Sequence, residues 1–143
     1  MSLFPPRADS LCILLVEDSS AYADVVKHQL RNALPSLPQI EHVEDVASAI
    51  AASRRLKIDL MILDLHLPDS MGLDTFDTMR KESPQCPIIV LTSNESPELA
   101  LEAVKRGAQD YLYKGGVEDD EDRLALALQF AIERRRQLLR AEA

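Results

Sequence analysis

Ile58-Asp59-Leu60-Met61-Ile62-Leu63-Asp64-Leu65-His66-Leu67-Pro68-Asp69-Ser70-Met71-Gly72 carries a short apolar run, rich in Ile and Leu, that stops at Asp64 and then meets Pro68 and Gly72. A run of this length and composition reads as a strand buried on both faces, as in a parallel sheet. Asp64 then stands at the strand's carboxyl end. In an open α/β sheet that edge is where ligands bind, because the loops leave there and the following helices point amide N–H groups at it. A carboxylate so placed is poised for chemistry or metal binding.

The flanking sequence repeats the pattern. Leu11 to Val16 is a second apolar run of strand length, ending in Glu17 and Asp18. Ser19 or Ser20 can cap a helix that carries Ala21, Val25, Val26 and Leu30 on one face and stops before Pro35. Gln39 to Glu44 alternates like a strand with one face more exposed, and Asp45 caps an Ala-rich helix through Arg55. After the central strand comes a helix from about Met71 to Glu82, with Leu73, Phe76 and Met79 spaced to face a core. Pro87 to Leu91 is another fully apolar strand, leading into Thr92-Ser93-Asn94, and Ser96-Pro97-Glu98 opens a helix that Gly107 ends. Asp110 to Tyr113 reads as the fifth strand, ending in Lys114-Gly115-Gly116. A last helix starts in the acidic run Glu118 to Asp122 and carries Leu124, Leu128, Ala131 and Ile132 towards the body. Five strands alternating with five helices predict a doubly wound parallel sheet with right-handed crossovers.

A chain of 143 residues, 46% hydrophobic and 28% charged, suffices for one domain with a single substantial core. Its net charge of -8 argues against a nucleic-acid-binding surface, which needs a basic face. Arg134-Arg135-Arg136 follows a helix that opens with acids, so it reads as compensation of the helix dipole. Cys12 and Cys86 make neither a disulfide framework nor a zinc site, and they fit a cytoplasmic location. No segment approaches the roughly 20 apolar residues of a membrane helix, so no membrane insertion is expected. Residues 1–10 read as a disordered leader, 11–133 as the domain and 134–143 as a helical extension or linker.

Four of the five strands deliver a polar group to the same edge: Glu17 and Asp18 after the first, Asp64 after the third, Thr92 after the fourth and Lys114 after the fifth. Singly, each has an ordinary explanation as a helix cap or a solvated charge. Their joint arrival on successive strands does not. Two unit charges 4 Å apart repel by roughly 4 kcal/mol at an effective dielectric of 20, so three carboxylates need a cation or a retained proton. Lys114 supplies one positive charge, and the remainder suits a divalent ion with oxygen ligands, Mg²⁺ above all. His28, His42 and His66 lie on different elements and offer no imidazole site. A carboxylate beside Mg²⁺, a fixed ammonium and a hydroxyl together make a phosphoryl acceptor: Asp64 attacks phosphorus, Lys114 and the metal neutralise the transferring oxygens, and Thr92 hydrogen-bonds one of them afterwards.

With Glu17-Asp18, Asp64, Thr92 and Lys114 in this order, and Asp64-Leu65-His66-Leu67-Pro68-Asp69 leading to Gly72, the chain resembles the receiver domain of two-component response regulators. The resemblance spans about Leu11 to Ile132. It implies a flavodoxin-like sheet of strand order 2-1-3-4-5 with five helices on both faces. It further implies that Asp64 takes a phosphoryl group from a phosphohistidine on a sensor histidine kinase or histidine phosphotransfer protein. Asp18, Asp64 and the backbone carbonyl of His66 would bind Mg²⁺ directly, and Glu17 through water. Thr92 would be the switch hydroxyl and Tyr111 the switch aromatic, while His66 and Asn94 sit where the family varies the lifetime of the phosphorylated state. Partners implied are the kinase, a homodimer through the last strand and helices, and an output domain. The chain is expected to catalyse only its own phosphorylation and autodephosphorylation.

One departure stands out. The family usually has Pro after the lysine, in a cis bond, whereas Gly115-Gly116 follows Lys114 here, and a cis bond before a non-proline residue is costly. The tail from Glu133 onwards has two readings, a helix that pairs in a dimer or leads into an output domain, or a solvated helix end. Two other classes of function compete with the phosphoacceptor. One is a phosphatase with Asp64 as nucleophile, where the general acid two residues on would be His66. The other is a docking domain that keeps the fold without phosphorylation.

Overall fold

Strands β1 (Cys12–Val16), β2 (Gln39–Val43), β3 (Leu60–Leu63), β4 (Ile88–Thr92) and β5 (Asp110–Tyr113) form one sheet in the order β2-β1-β3-β4-β5, with every neighbouring pair parallel. This is the doubly wound, flavodoxin-like order expected. The computed structural model describes residues 11–142, and the leader expected over 1–10 lies outside them. Helices α1 (Ser20–Ala33), α2 (Val46–Arg55), α3 (Leu73–Glu82), α4 (Pro97–Lys105), α5 (Lys114–Asp119) and α6 (Glu121–Glu142) cover the sheet.

Because side chains alternate across a strand, the continuous apolar runs feed two cores at once. Leu14, Val16, Met61, Leu63, Ile88 and Val90 face α2, α3 and α4, where Phe76 and Met79 close the layer. Ile13, Leu15, Leu60, Ile62, Ile89 and Leu91 face α1 and α6, against Val26, Leu30, Leu124 and Leu128. β1, β3 and β4 are buried along their whole length, whereas β2, at the sheet edge, is only half-buried.

Helix starts follow local chemistry. The Ser19 hydroxyl accepts from Tyr22 N at 3.2 Å, and Ser96 accepts from Leu99 N at 3.2 Å with Pro97 in the first turn. At α2 two carboxylates share the task. Asp45 accepts from Ser48 N at 2.7 Å, while Asp69, brought over from the loop after β3, accepts from Val46 N at 2.9 Å and Ala47 N at 3.0 Å. The amides left unpaired by the first turn of α2 are thereby satisfied, and the loop is tied to the neighbouring helix.

Four expectations need correction. The inward face of α1 is Ala23, Val26 and Leu30, while Ala21 and Val25 are exposed, because the helix phase is set by packing into the core shared with the sheet and α6 rather than by the densest apolar spacing. Met71 pairs with His66 in a two-stranded hairpin (His66–Leu67 with Ser70–Met71), so α3 starts only after Gly72, whose φ of 71° an L side chain rarely adopts. Six helices, not five, are present among the described residues. Asp120 adopts an extended conformation (φ −139°, ψ 102°) and its carboxylate accepts from Asp122 N at 3.0 Å, which splits the acidic run into the end of α5 and the start of α6. Finally, Arg134-Arg135-Arg136 lies well inside α6, which runs unbroken to Glu142, and Arg135 donates to the Asp59 carbonyl at 2.7 Å, anchoring α6 beneath β3.

Asp69→Ala removes two amide acceptors at α2 and is expected to cost about 1–2 kcal/mol in urea unfolding. An unchanged midpoint would show that water satisfies those amides equally well.

Candidate functional site

The parallel register brings the strand ends level. Val16, Leu63 and Val90 are aligned on adjacent strands, so Glu17 and Asp64 follow one residue beyond that line, and Asp18 and Thr92 two beyond it. Asp64 N donates to the Val16 carbonyl at 3.0 Å and Glu17 N to the Val43 carbonyl at 3.0 Å, which fixes both backbones where the sheet ends. Glu17 and Asp64 are only 1% and 4% exposed, Thr92 is fully buried, and Asp18 is open to solvent.

Lys114 closes the site from β5. Its ammonium donates to Asp64 Oδ2 at 3.0 Å and to Glu17 Oε1. The second oxygen of Asp64 accepts from His66 N at 3.0 Å, and that of Glu17 accepts from Ser19 N at 3.3 Å. Carboxylate oxygens of Glu17, Asp18 and Asp64 lie within 4.8 Å of one another. Three carboxylates face one ammonium, so a hard cation with oxygen ligands fits the donor set. Burial, with Asp64 adding to it against the pull of Lys114, pushes the Glu17 carboxyl up to about 7. For Lys114, burial favours the neutral amine, but the bonds to Glu17 and Asp64 outweigh it and hold the ammonium above its ordinary value.

Thr92 belongs to a second set of contacts. Its hydroxyl accepts from Asn94 N at 3.2 Å, and the Asn94 carbonyl accepts from the Tyr111 hydroxyl at 2.9 Å. The backbone of Asn94 thus links Thr92 to Tyr111. The side chains of Asn94 and His66 are exposed beside the site, and neither side chain bonds to the carboxylates.

Lys114 itself begins α5, with Gly115 behind it. A Cβ on Gly115 would stand 2.5 Å from Tyr113 Cε1, so the Tyr113 ring fills the space a side chain would need. The bond after Lys114 is not cis.

All the residues expected at the strand-end edge are there. Two contacts were not legible beforehand. His42 Nε2 hydrogen-bonds the Glu17 carbonyl at 2.7 Å, and Tyr22, an aromatic in the first turn of α1, lies against Lys114 with its ring centroid 4.5 Å from Nζ. The only sequence signal for Tyr22 is an aromatic four residues after Asp18.

The comparisons with known proteins agree with this geometry. The family profile of the response regulator receiver domain matches residues 13–129. The chain is 36% identical over 110 residues to the transcriptional regulatory protein TcrX of Mycobacterium tuberculosis, covering 76% of this chain and 46% of that one. It is 35% identical over 118 residues to the regulatory protein LuxO of Vibrio cholerae, covering 82% of this chain and 25% of LuxO. It therefore spans half or less of the length of these relatives. Among solved structures, the signal receiver domain of a LuxO repressor protein from Vibrio parahaemolyticus superposes with a TM-score of 0.81 at 31% identity, covering 94% of this chain and 98% of the other. With the profile matched across most of its length and the strand-end residues assembled in one place, this chain belongs to the response regulator receiver domain family.

Proposed function

We propose that the chain is a phosphoacceptor of a two-component phosphorelay, receiving a phosphoryl group on Asp64 from a phosphohistidine of a sensor histidine kinase or histidine phosphotransfer protein. The observation that carries this reading is the Lys114 ammonium held between Asp64 and Glu17 at the carboxyl edge of the sheet. A carboxylate oxygen of Asp64 attacks phosphorus. The new P–O bond forms as the P–N bond breaks, and the electron pair departs with the imidazole nitrogen. Lys114 turns from the carboxylates to a phosphoryl oxygen, and Thr92 donates its hydroxyl to another. Asp18 and Asp64, with the His66 carbonyl, would hold Mg²⁺ directly, and Glu17 through water. When bound, that ion neutralises charge on the donor's oxygens.

The switch is of adequate strength. Taking a two-state equilibrium from 1:99 to 99:1 needs about 5.5 kcal/mol. Two charge-assisted hydrogen bonds, from Thr92 and Lys114, supply roughly 3–6 kcal/mol. Because Thr92 and Tyr111 both bond the Asn94 backbone, movement of the threonine is felt by the tyrosine on β5. Output through that face, by dimerisation or through an attached or separate output partner, is part of the proposal. So is a cytoplasmic location: none of the helices among the described residues is long and apolar enough to cross a membrane.

Acetyl phosphate with Mg²⁺ should give a shifted band on a phosphate-affinity gel for the wild type and none for Asp64→Asn. Absence of phosphorylation, together with no binding of beryllium fluoride, would favour the docking-domain reading instead. Thr92→Ala should still be phosphorylated but lose most of the amide shift changes at Asn94 and Tyr111 that beryllium fluoride induces. Equal changes in both proteins would remove Thr92 from the switch.

The Glu17 carboxyl sets a pH dependence. Its folded value of about 7 lies above the ordinary carboxylate value of 4.5, so the stability it contributes is complete below pH 4.5 and is lost as pH rises through 7. With divalent ions chelated, the wild type should lose up to about 3 kcal/mol between pH 5 and 8 relative to Glu17→Gln in urea unfolding. Parallel pH profiles for the two proteins would show that Glu17 is ionised throughout. Affinity for Mg²⁺ should rise across the same interval as the ligand set becomes fully charged.

A further inference from the structure

Lys114 has little local support on its own element. Its helix, α5, is 6 residues long and has no side-chain cap, and the two residues after Lys114 are glycines, the least constrained of all. Holding a long, flexible ammonium side chain in one place requires something else.

That support comes from α1, which grips α5 at two points. The Tyr22 hydroxyl donates to the Lys114 carbonyl at 3.3 Å, and Gln29 Nε2 donates to the Val117 carbonyl at 3.3 Å, about one helical turn further along. Tyr22 also presents its ring to the other end of the same residue, with Lys114 Nζ 4.5 Å from the ring centroid. One side chain therefore holds both the backbone and the ammonium of Lys114. Tyr22 is itself well fixed: its amide is bonded by the Ser19 cap, and its ring packs at the margin of the core formed by α1 and α6. The Ser19 amide in turn donates to Glu17 Oε2, so a short path joins Tyr22 to the acidic pair.

Building on the phosphoacceptor reading, we infer that Tyr22 is the positioning residue for Lys114: its π face holds the ammonium against Asp64 and guides it to the phosphoryl oxygen, in place of stiffness that Gly115-Gly116 cannot supply. The ring attracts the ammonium electrostatically and shields one side of it from water, and both effects strengthen the pull of Lys114 on an oxygen at Asp64. Tyr22 touches no reacting atom, so its effect passes entirely through Lys114.

The test uses the full chain as wild type, Tyr22→Phe and Tyr22→Leu, with Tyr22→Met in reserve as a second residue without a π face should the leucine variant not fold. Three quantities are read: the rate of phosphorylation by acetyl phosphate with Mg²⁺, the affinity for beryllium fluoride, and the proton shift of the Lys114 ε-methylene, which a ring face displaces upfield. Tyr22→Leu should lower both rate and affinity roughly tenfold and abolish the upfield shift. Tyr22→Phe, which keeps the ring, should stay within about threefold of wild type and retain the shift.

Rate and affinity unchanged in Tyr22→Leu, with the wild type phosphorylated, would overturn the inference alone. A loss in Tyr22→Phe as large as in Tyr22→Leu would also overturn it, by assigning the effect to the hydroxyl. A wild type that takes no phosphoryl group yet shows the upfield shift would overturn the phosphoacceptor reading and leave the placement of Lys114 by Tyr22 supported.

Discussion

The ammonium of Lys114 bonds two carboxylates, Glu17 and Asp64, that are almost closed to water. Burying a carboxylate costs several kcal/mol unless a partner of opposite charge meets it, and here one ammonium serves two. The strands that end in acids can lie side by side with their carboxylates converging because β5 delivers a cation to the same place. The pairing is incomplete: three carboxylates against one ammonium leave a negative site, and burial, with Asp64 adding to it, raises the Glu17 carboxyl. A site in this state gains from any added cation. On the proposed phosphoacceptor reading, it also puts Asp64 beside the group that would stabilise the phosphorylated product.

Parallel pairing is what makes such a convergence possible. Every strand enters from the same side, so every strand-end residue emerges on one edge, and the two cores on either face hold the strands in register. The loops are then tied down individually. Asp69 fastens the segment after β3 to the start of α2, and His42 braces the Glu17 carbonyl from the edge strand. The acidic edge is thus held by packing and hydrogen bonds before any ion binds.

Two kinds of connection lead away from the site. On one side the Thr92 hydroxyl, the Asn94 backbone and the Tyr111 hydroxyl form a continuous chain to the surface of β5. On the other, Tyr22 and Gln29 bind α1 to α5 and so to Lys114. The first is suited to transmitting a change, since a buried hydroxyl that turns must release or pull its neighbour. The second is suited to preventing one, since it holds a flexible segment in place.

The alternation of strands and helices, the edge where the strand-end polar residues gather and the identity of those residues were legible in local signals that survive into the fold: apolar runs of strand length, capping hydroxyls at Ser19 and Ser96, and polar residues set immediately after strands. The strand order was available only through the resemblance to receiver domains, because apolar runs alone do not say which strands are neighbours. The face of α1 was misjudged because Val25 and Val26 are equally apolar and only packing into the core shared with the sheet and α6 chooses between them. The short helix α5 was missed because its first turn carries Gly115 and Gly116, both poor helix formers, whereas α6 does start within the acidic run as expected. Which acid is buried beside Lys114 and which faces solvent, the grip of Tyr22 on Lys114 and the bond from Asp69 to α2 were decided by tertiary structure alone. Each joins residues far apart in the chain or in different elements, and their meeting depends on the closed sheet and the packing of helices upon it. Sequence pattern determines what each element is; distances between elements are set only when all of them are packed together.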